Sequence, residues 1–273
     1  GRPVYESEFI ESAALKDLHA AAGRDIVRSL GLDCQVSGHR VISIAAGLPD
    51  SAIVINRALG LGLDEAETEA AVADLVSMYR DAGVGRFFVQ RHPRATPDAL
   101  TDWLLAAGLA RARGWQKFSR DCEPAPAVRT ELDVKPVGAE HGAAFASIVC
   151  AAFDLGEESE PWLACLPGRP GWHVFMSFAD GQPAGAGALF VKDGVGWTDF
   201  GATAPAFRRM GSQAAVLARR IDHAISLGCE RIYTCTGEAI EGDPQHSYGN
   251  ILKLGFQTEY VRENYAPPRA NGA

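Results

Sequence analysis

The order of apolar and polar positions divides the chain into alternating helical and extended stretches. Residues 8–30 read as a helix, with Phe9, Ile10, Leu15, Leu18, Ile26 and Val27 on its buried side. Residues 41–46 and 52–59 are rich in β-branched and apolar residues and predict strands. Residues 64–81 predict a helix with Val72, Leu75, Val76 and Tyr79 inward. A strand over 86–90, a helix over 97–107 ending before Gly108, and a closing strand over 110–119 follow. The segment 121–130 holds Pro124 and Pro126 and little that packs, and it reads as a linker. Further on, a strand around Phe200 and Thr203 is ended by Pro205, which has no N–H for a ladder. An amphipathic helix runs from Ser212 to Leu227, with Gly228 as its stop. A short strand over 231–236, a helical stretch ending at Gly255-Phe256, and a last strand over 258–265 complete the chain.

This order repeats. Glu69-Ala-Ala-Val72 matches Gln213-Ala-Ala-Val216, Arg86-Phe-Phe-Val89 matches Arg231-Ile-Tyr-Thr234, and Trp103 to Leu109 matches Asn250 to Phe256. The offsets are 144, 145 and 147, so three matches stand in order with little drift. That pattern predicts a duplicated domain with its joint near residue 125.

Composition narrows the function. The 273 residues suit one large or two small domains, and 47% hydrophobic residues support a real core. A net charge of −8 argues against a nucleic-acid partner, which wants a basic face. No apolar run reaches membrane-span length and no leader is evident, so the expectation is a cytoplasmic protein with no membrane partner. The six cysteines form no Cys-x-x-Cys and read as reduced thiols. The seven histidines have no zinc-type spacing, so no metal is expected.

The candidate chemistry sits between the strand and the helix of residues 198–217. Arg208, Arg209 and Gly211 stand just before the helix start at Ser212 and Gln213. A helix N-terminus offers free N–H groups and a positive dipole end to an anion. Gly211 lets the backbone come close, and the arginines add charge-assisted bonds that suit phosphate.

The stretch Arg208-Arg209-Met210-Gly211-Ser212-Gln213 resembles the acyl-CoA signature of the GNAT superfamily of N-acetyltransferases, Gln/Arg-x-x-Gly-x-Gly/Ala, with Gln213 in place of the usual Gly or Ala. Ser247-x-x-Asn250-x-x-Lys253-x-Gly255-Phe256 resembles the family's second signature. The resemblance covers about 132–265. It implies an α/β (α+β) fold of two tandem GNAT-like domains, each a mixed, mostly antiparallel sheet flanked by helices. The expected division is a degenerate, non-catalytic domain over 1–122, a linker over 123–130 and an acyl-CoA-binding catalytic domain over 131–273. The implied co-substrate is acetyl-CoA, contacting Ala202, Thr203, Ala204, Arg208, Arg209, Met210, Gly211, Ser212, Gln213 and Asn250. The implied reaction is acetyl transfer to an amine of a small molecule or peptide, by a monomer or homodimer.

The halves differ chemically. Where the second half has its arginines, the first has Asp64, Glu65 and Glu67. Asp64 and Glu67 predict a capping-box helix start and repel a pyrophosphate. The first half is therefore expected to bind no CoA.

Amine attack on the thioester needs an oxyanion donor, expected from the backbone near Ala202 or Thr203. It also needs a base. Asp199 is the candidate, with Glu238 and His173 as rivals. Many family members place a proton-donating Tyr four residues before the Gly of Gly-Phe, but Ile251 stands there. Ser247 and Tyr248 are the nearest hydroxyls, and Tyr265 is a more distant one. Acceptor specificity is expected from 153–171, where Glu157, Glu158, Glu160 and Trp162, with Trp172 beyond, would suit a cationic amine. Two other readings stay open. One is a tandem transferase of the mycothiol-synthase or aminoacyl-transferring kind. The other is a non-catalytic acyl-CoA sensor or interaction module.

Overall fold

The computed structural model describes residues 4–269. The chain forms two compact units, Gly1–Trp115 with Tyr260–Ala273, and Gln116–Glu259. The chain passes between them inside two strands, not at a linker. The segment expected as a linker, 123–130, lies within the second unit. It has no helix or strand, yet Cys122, Ala125 and Val128 pack against that unit's core, and the Ala125 amide donates to Asp222 Oδ1 at 2.9 Å.

The first unit opens with α1 (Glu6–Ala20) and α2 (Arg24–Leu30), where one helix was expected. Gly23 stands at the break in an extended conformation. Strands β1 (Leu32–Ser37), β2 (Arg40–Ala45) and β3 (Arg57–Leu59) follow, then α3 (Glu69–Asp81), β4 (Phe88–Arg91), α4 (Leu100–Ala106) and β5 (Ala110–Arg120), whose end enters the second unit. All pairs from β1 to β3 are antiparallel, while β3 and β4 are parallel. Val72, Leu75, Val76 and Tyr79 of α3 are buried against Ile42, Ile44 and Val89, as their period predicts.

The second unit continues with β6 (Asp133–Val137), α5 (Gly142–Ala152), the single turn α6 (Glu160–Leu163), β7 (Trp172–Ala179), β8 (Gln182–Lys192), β9 (Val195–Thr203), α7 (Ser212–Ser226), β10 (Arg231–Gly237), α8 (His246–Lys253) and β11 (Gln257–Ala266), whose end belongs to the first unit. Strands β6 to β9 pair antiparallel in order, and β9 pairs parallel with β10. Both units thus carry strand, helix, strand, helix, strand in the same order around one parallel pair. Helices α7 and α8 cover one face, burying Leu217, Ile221, Ala224, Ile251 and Leu254 on Leu189 and Ile232. The opposite face carries the aromatic residues Trp172, Phe190, Trp197 and Phe200, all buried. Among the described residues no helix is long and apolar enough to cross a membrane.

Candidate functional site

The site forms where β9 parts from β10. Their parallel ladder joins only Val195–Trp197 to Arg231–Tyr233. Thr234 Oγ1 still donates to the Thr198 carbonyl at 3.3 Å. Beyond that point β9 runs on to Thr203 and β10 to Gly237 with no ladder between them among the described pairs. A bulge bends β9 at this place. Asp199 faces Ala188 and Ala202 faces Ala186, so Phe200 and Gly201 together oppose Gly187. Phe200 takes a φ of 54° in the bulge.

The ladder fixes which backbone groups face the gap. The Ala204 amide donates to the Ala184 carbonyl at 2.8 Å. Two residues back an antiparallel strand presents the same edge, so the Ala202 amide also points at β8, and the Thr203 amide points into the gap. Of the two amides, that of Thr203 faces the gap and that of Ala202 faces β8.

Beyond Ala204 a turn over Pro205–Phe207 leads to Arg208, Arg209 and Gly211. Gly211 is the N-cap of α7, left-handed at φ 82°, and gives no side-chain cap. The first hydrogen bond closing that helix runs from the Ala215 amide to the Gly211 carbonyl. The amides of Ser212, Gln213 and Ala214 are left without an intrahelical acceptor. Arg208, Arg209 and Met210 are exposed around this helix end. Thr130 Oγ1 donates to the Met210 carbonyl at 2.7 Å, and a Cβ on Gly211 would lie 3.2 Å from the Arg129 carbonyl. The segment 129–130 therefore walls the site, which its sequence gave no sign of.

The side chains of the turn divide their roles. Ser212 points away from the gap, its hydroxyl 2.7 Å from that of Ser177 in the interior. Gln213 explains the departure from the family pattern. Its Nε2 donates to Ser247 Oγ at 3.1 Å and its Oε1 accepts from Asn250 Nδ2 at 2.9 Å. It fastens α8 to the start of α7, so Ser247 and Asn250 serve that joint.

Asp199 keeps its place beside the gap. Its carboxylate accepts from the Trp197 indole at 3.1 Å and from the Phe200 amide at 2.9 Å. His173 lies on the other face of the sheet. Its Nδ1 is 3.1 Å from His223 Nε2 of α7, and burial pushes both imidazoles below their usual range, with His223 adding to the effect on His173. It does not join Asp199. Tyr248 sits edge-on to Phe118, with ring centroids 5.0 Å apart. Ile251 is core. Tyr265 is buried in the first unit's core. Trp162 and Trp172 are also core, 0% and 4% exposed, and form no open aromatic cage.

The equivalent place in the first unit is built differently. Thr68, not Asp64, is the N-cap of α3, and its hydroxyl accepts from the Ala71 amide at 3.1 Å. Asp64 instead accepts from the His39 amide and ring, and Glu67 pairs with Arg40. Thr96 closes on the turn: its amide donates to the Gly62 carbonyl at 3.0 Å, and its own carbonyl accepts from the Glu67 amide at 2.9 Å. Of the first-turn amides of α3, that of Ala71 is capped by Thr68, where the matching amide on α7 has no side-chain cap.

Residues 144–248 match the model of the acetyltransferase (GNAT) family. No curated protein matches the chain. Among solved structures, a GCN5-related N-acetyltransferase from Kribbella flavida is 18% identical, with 98% of each chain covered and a TM-score of 0.63. A GCN5-related N-acetyltransferase from Sphaerobacter thermophilus is 14% identical over 97% of this chain and 93% of its own, with a TM-score of 0.56. A tandem GNAT protein from the clavulanic acid biosynthesis pathway is 16% identical over 96% of this chain and 94% of its own, with a TM-score of 0.53. Family match, gap and helix start coincide in the second unit, and the chain carries a GNAT-family domain there.

Proposed function

We propose that the second unit is an acetyl-CoA-dependent N-acetyltransferase and that the first is non-catalytic. The observation that carries this reading is the uncapped start of α7, with Arg208 and Arg209 beside it, at the mouth of the gap between β9 and β10. The residues present fit the co-substrate. Amides of Ser212, Gln213 and Ala214 would take pyrophosphate oxygens, and the arginines would add charge-assisted bonds. The gap admits an extended arm along the free edge of β9, and the Thr203 amide would donate to the thioester carbonyl.

Each chain residue then has a task. Asp199, held by Trp197 and the Phe200 amide, takes the proton from the acceptor amine, directly or through water. Tyr248 is the hydroxyl of α8 better suited to protonate the departing thiolate, since a phenol is far more acidic than an alcohol such as Ser247. The acceptor is an amine of a small molecule or peptide. The test is release of CoA thiol from acetyl-CoA across a panel of amines. Amine-dependent release supports the reading.

The second reading is a non-catalytic acyl-CoA sensor. It is favoured by one observation, the burial of Ile251 where many relatives would carry an acidic hydroxyl. Acetyl-CoA binding without turnover on any amine would select it.

A further inference from the structure

The bulge of β9 needs something to hold it. A bulky residue at φ 54°, as Phe200 is, is strained relative to ordinary extended backbone. Arg220 of α7 braces the bulge. Its side chain is 4% exposed, and Nη1 donates to the Ala188 carbonyl at 3.0 Å and to the Asp199 carbonyl at 3.2 Å, while Nε donates to the Val216 carbonyl of its own helix at 3.3 Å. The two sheet carbonyls belong to the pair that immediately precedes the bulge. Glycines make room for this group. A Cβ on Gly187 would come within 2.5 Å of the Arg220 Cζ, and one on Gly201 within 3.3 Å of its Nη2. Burial pushes the guanidinium down to about 10, with the Asp199 charge acting in the opposite direction, so it stays a cation at neutral pH.

Resting on the proposed acetyl-transfer reading, we infer that Arg220 is a positioning residue which locks the β9 bulge and thereby aims the Thr203 amide at the thioester carbonyl. A strand presents alternate amides to alternate edges. If the bulge relaxed by one residue, the Thr203 amide would turn to β8 and the Ala202 amide would face the gap instead. Arg220 touches no reacting atom. It acts through the backbone it holds. The planar fork matters as much as the charge, because a lysine cannot span the same carbonyls.

The experiment is isotope-edited infrared difference spectroscopy of acetyl-CoA labelled with ¹³C at the thioester carbonyl, on the wild-type chain and on Arg220→Lys. In the wild type the bound carbonyl band moves to lower wavenumber than free acetyl-CoA, reporting the aimed amide. Arg220→Lys is expected to bind acetyl-CoA within about threefold of wild type, because the helix start is untouched, and to lose that band shift. Should Arg220→Lys show no cooperative melting transition, Gly187→Ala, which pushes on the guanidinium from the sheet, is measured in the same way with the same expectation. A band shift kept in a folded variant overturns the positioning role, and so does a wild type that binds acetyl-CoA with no shift. A wild type that does not bind acetyl-CoA at all instead removes the functional reading beneath it, and this proposal with it.

Discussion

Lowering the pH from 7.5 to 5 protonates His19 in the unfolded chain and leaves it neutral in the folded one. His19 sits in the last turn of α1, with Nε2 2.7 Å from Ser43 Oγ of β2. Burial pushes its imidazole down to about 4 from an ordinary value of 6.5, against a smaller opposing effect of Asp33. The sign follows from linkage. A base whose folded value is depressed contributes stability that is complete above the unfolded value and lost as pH falls toward the folded one. At pH 5 the unfolded chain gains RT ln(1 + 10^1.5) and the folded chain RT ln(1 + 10^−1), a difference of about 2 kcal/mol, whereas at pH 7.5 the difference is under about 0.1 kcal/mol. The variant His19→Gln can still reach the Ser43 hydroxyl but cannot titrate. Urea unfolding followed by circular dichroism at both pH values gives the double difference, in which His173 and His223 cancel. The wild type should lose about 2 kcal/mol more than His19→Gln across that interval. Equal losses in the two proteins would refute the claim that His19 is buried as the neutral base.

Three further outcomes are expected. Arg262→Met should cost about 3–5 kcal/mol in urea unfolding, because Arg262 bonds both Glu8 and Glu11 in the interior at 2.6–2.9 Å and its loss strands their charge. Calorimetric titration should count one CoA site per chain, since in the first unit Thr68 caps the Ala71 amide and Asp64, Glu65 and Glu67 stand where the second unit has its arginines; two sites would contradict that. Tyr248→Phe should lower kcat about tenfold with little change in acetyl-CoA affinity, and an unchanged kcat under chemistry-limited conditions would move the proton donation elsewhere.

Much of the fold was legible because local signals agreed. Pro205 ends β9 within two residues, the period of Val72, Leu75, Val76 and Tyr79 names the buried face of α3, and the repeat foretold two units of one order. The features that escaped notice depend on partners distant in sequence. Strand β8 is rich in Gly and Ala, poor strand formers, yet Gly185 and Gly187 are required there by Ser212 and Arg220. Strand β1 was missed although Leu32, Cys34 and Val36 alternate with polar residues, because the run is short and only weakly apolar and its side chains are mostly exposed. Asp64 and Glu67 carried the residue types of a capping box, but Thr68 takes the cap and both acids bond elsewhere. Trp162 and Trp172 read as a cation-binding surface because composition does not reveal which side of a loop is inside. Among the site residues, the anion turn was visible because its arginines, glycine and helix start are contiguous. Arg220 was not, because it stands on α7 while the bulge it holds lies on β9.

The account rests on the start of α7 as an anion site, and binding measured by thermal shift tests it most directly. Acetyl-CoA at 100 times its dissociation constant should stabilise the wild-type chain by about 2.7 kcal/mol and raise Tm accordingly. Arg208→Ala removes an exposed side chain that no described residue engages, and Gly211→Glu places a negative charge on the free amides at a left-handed position. Most of the shift should vanish in both variants. A shift of wild-type size in both would contradict the assignment.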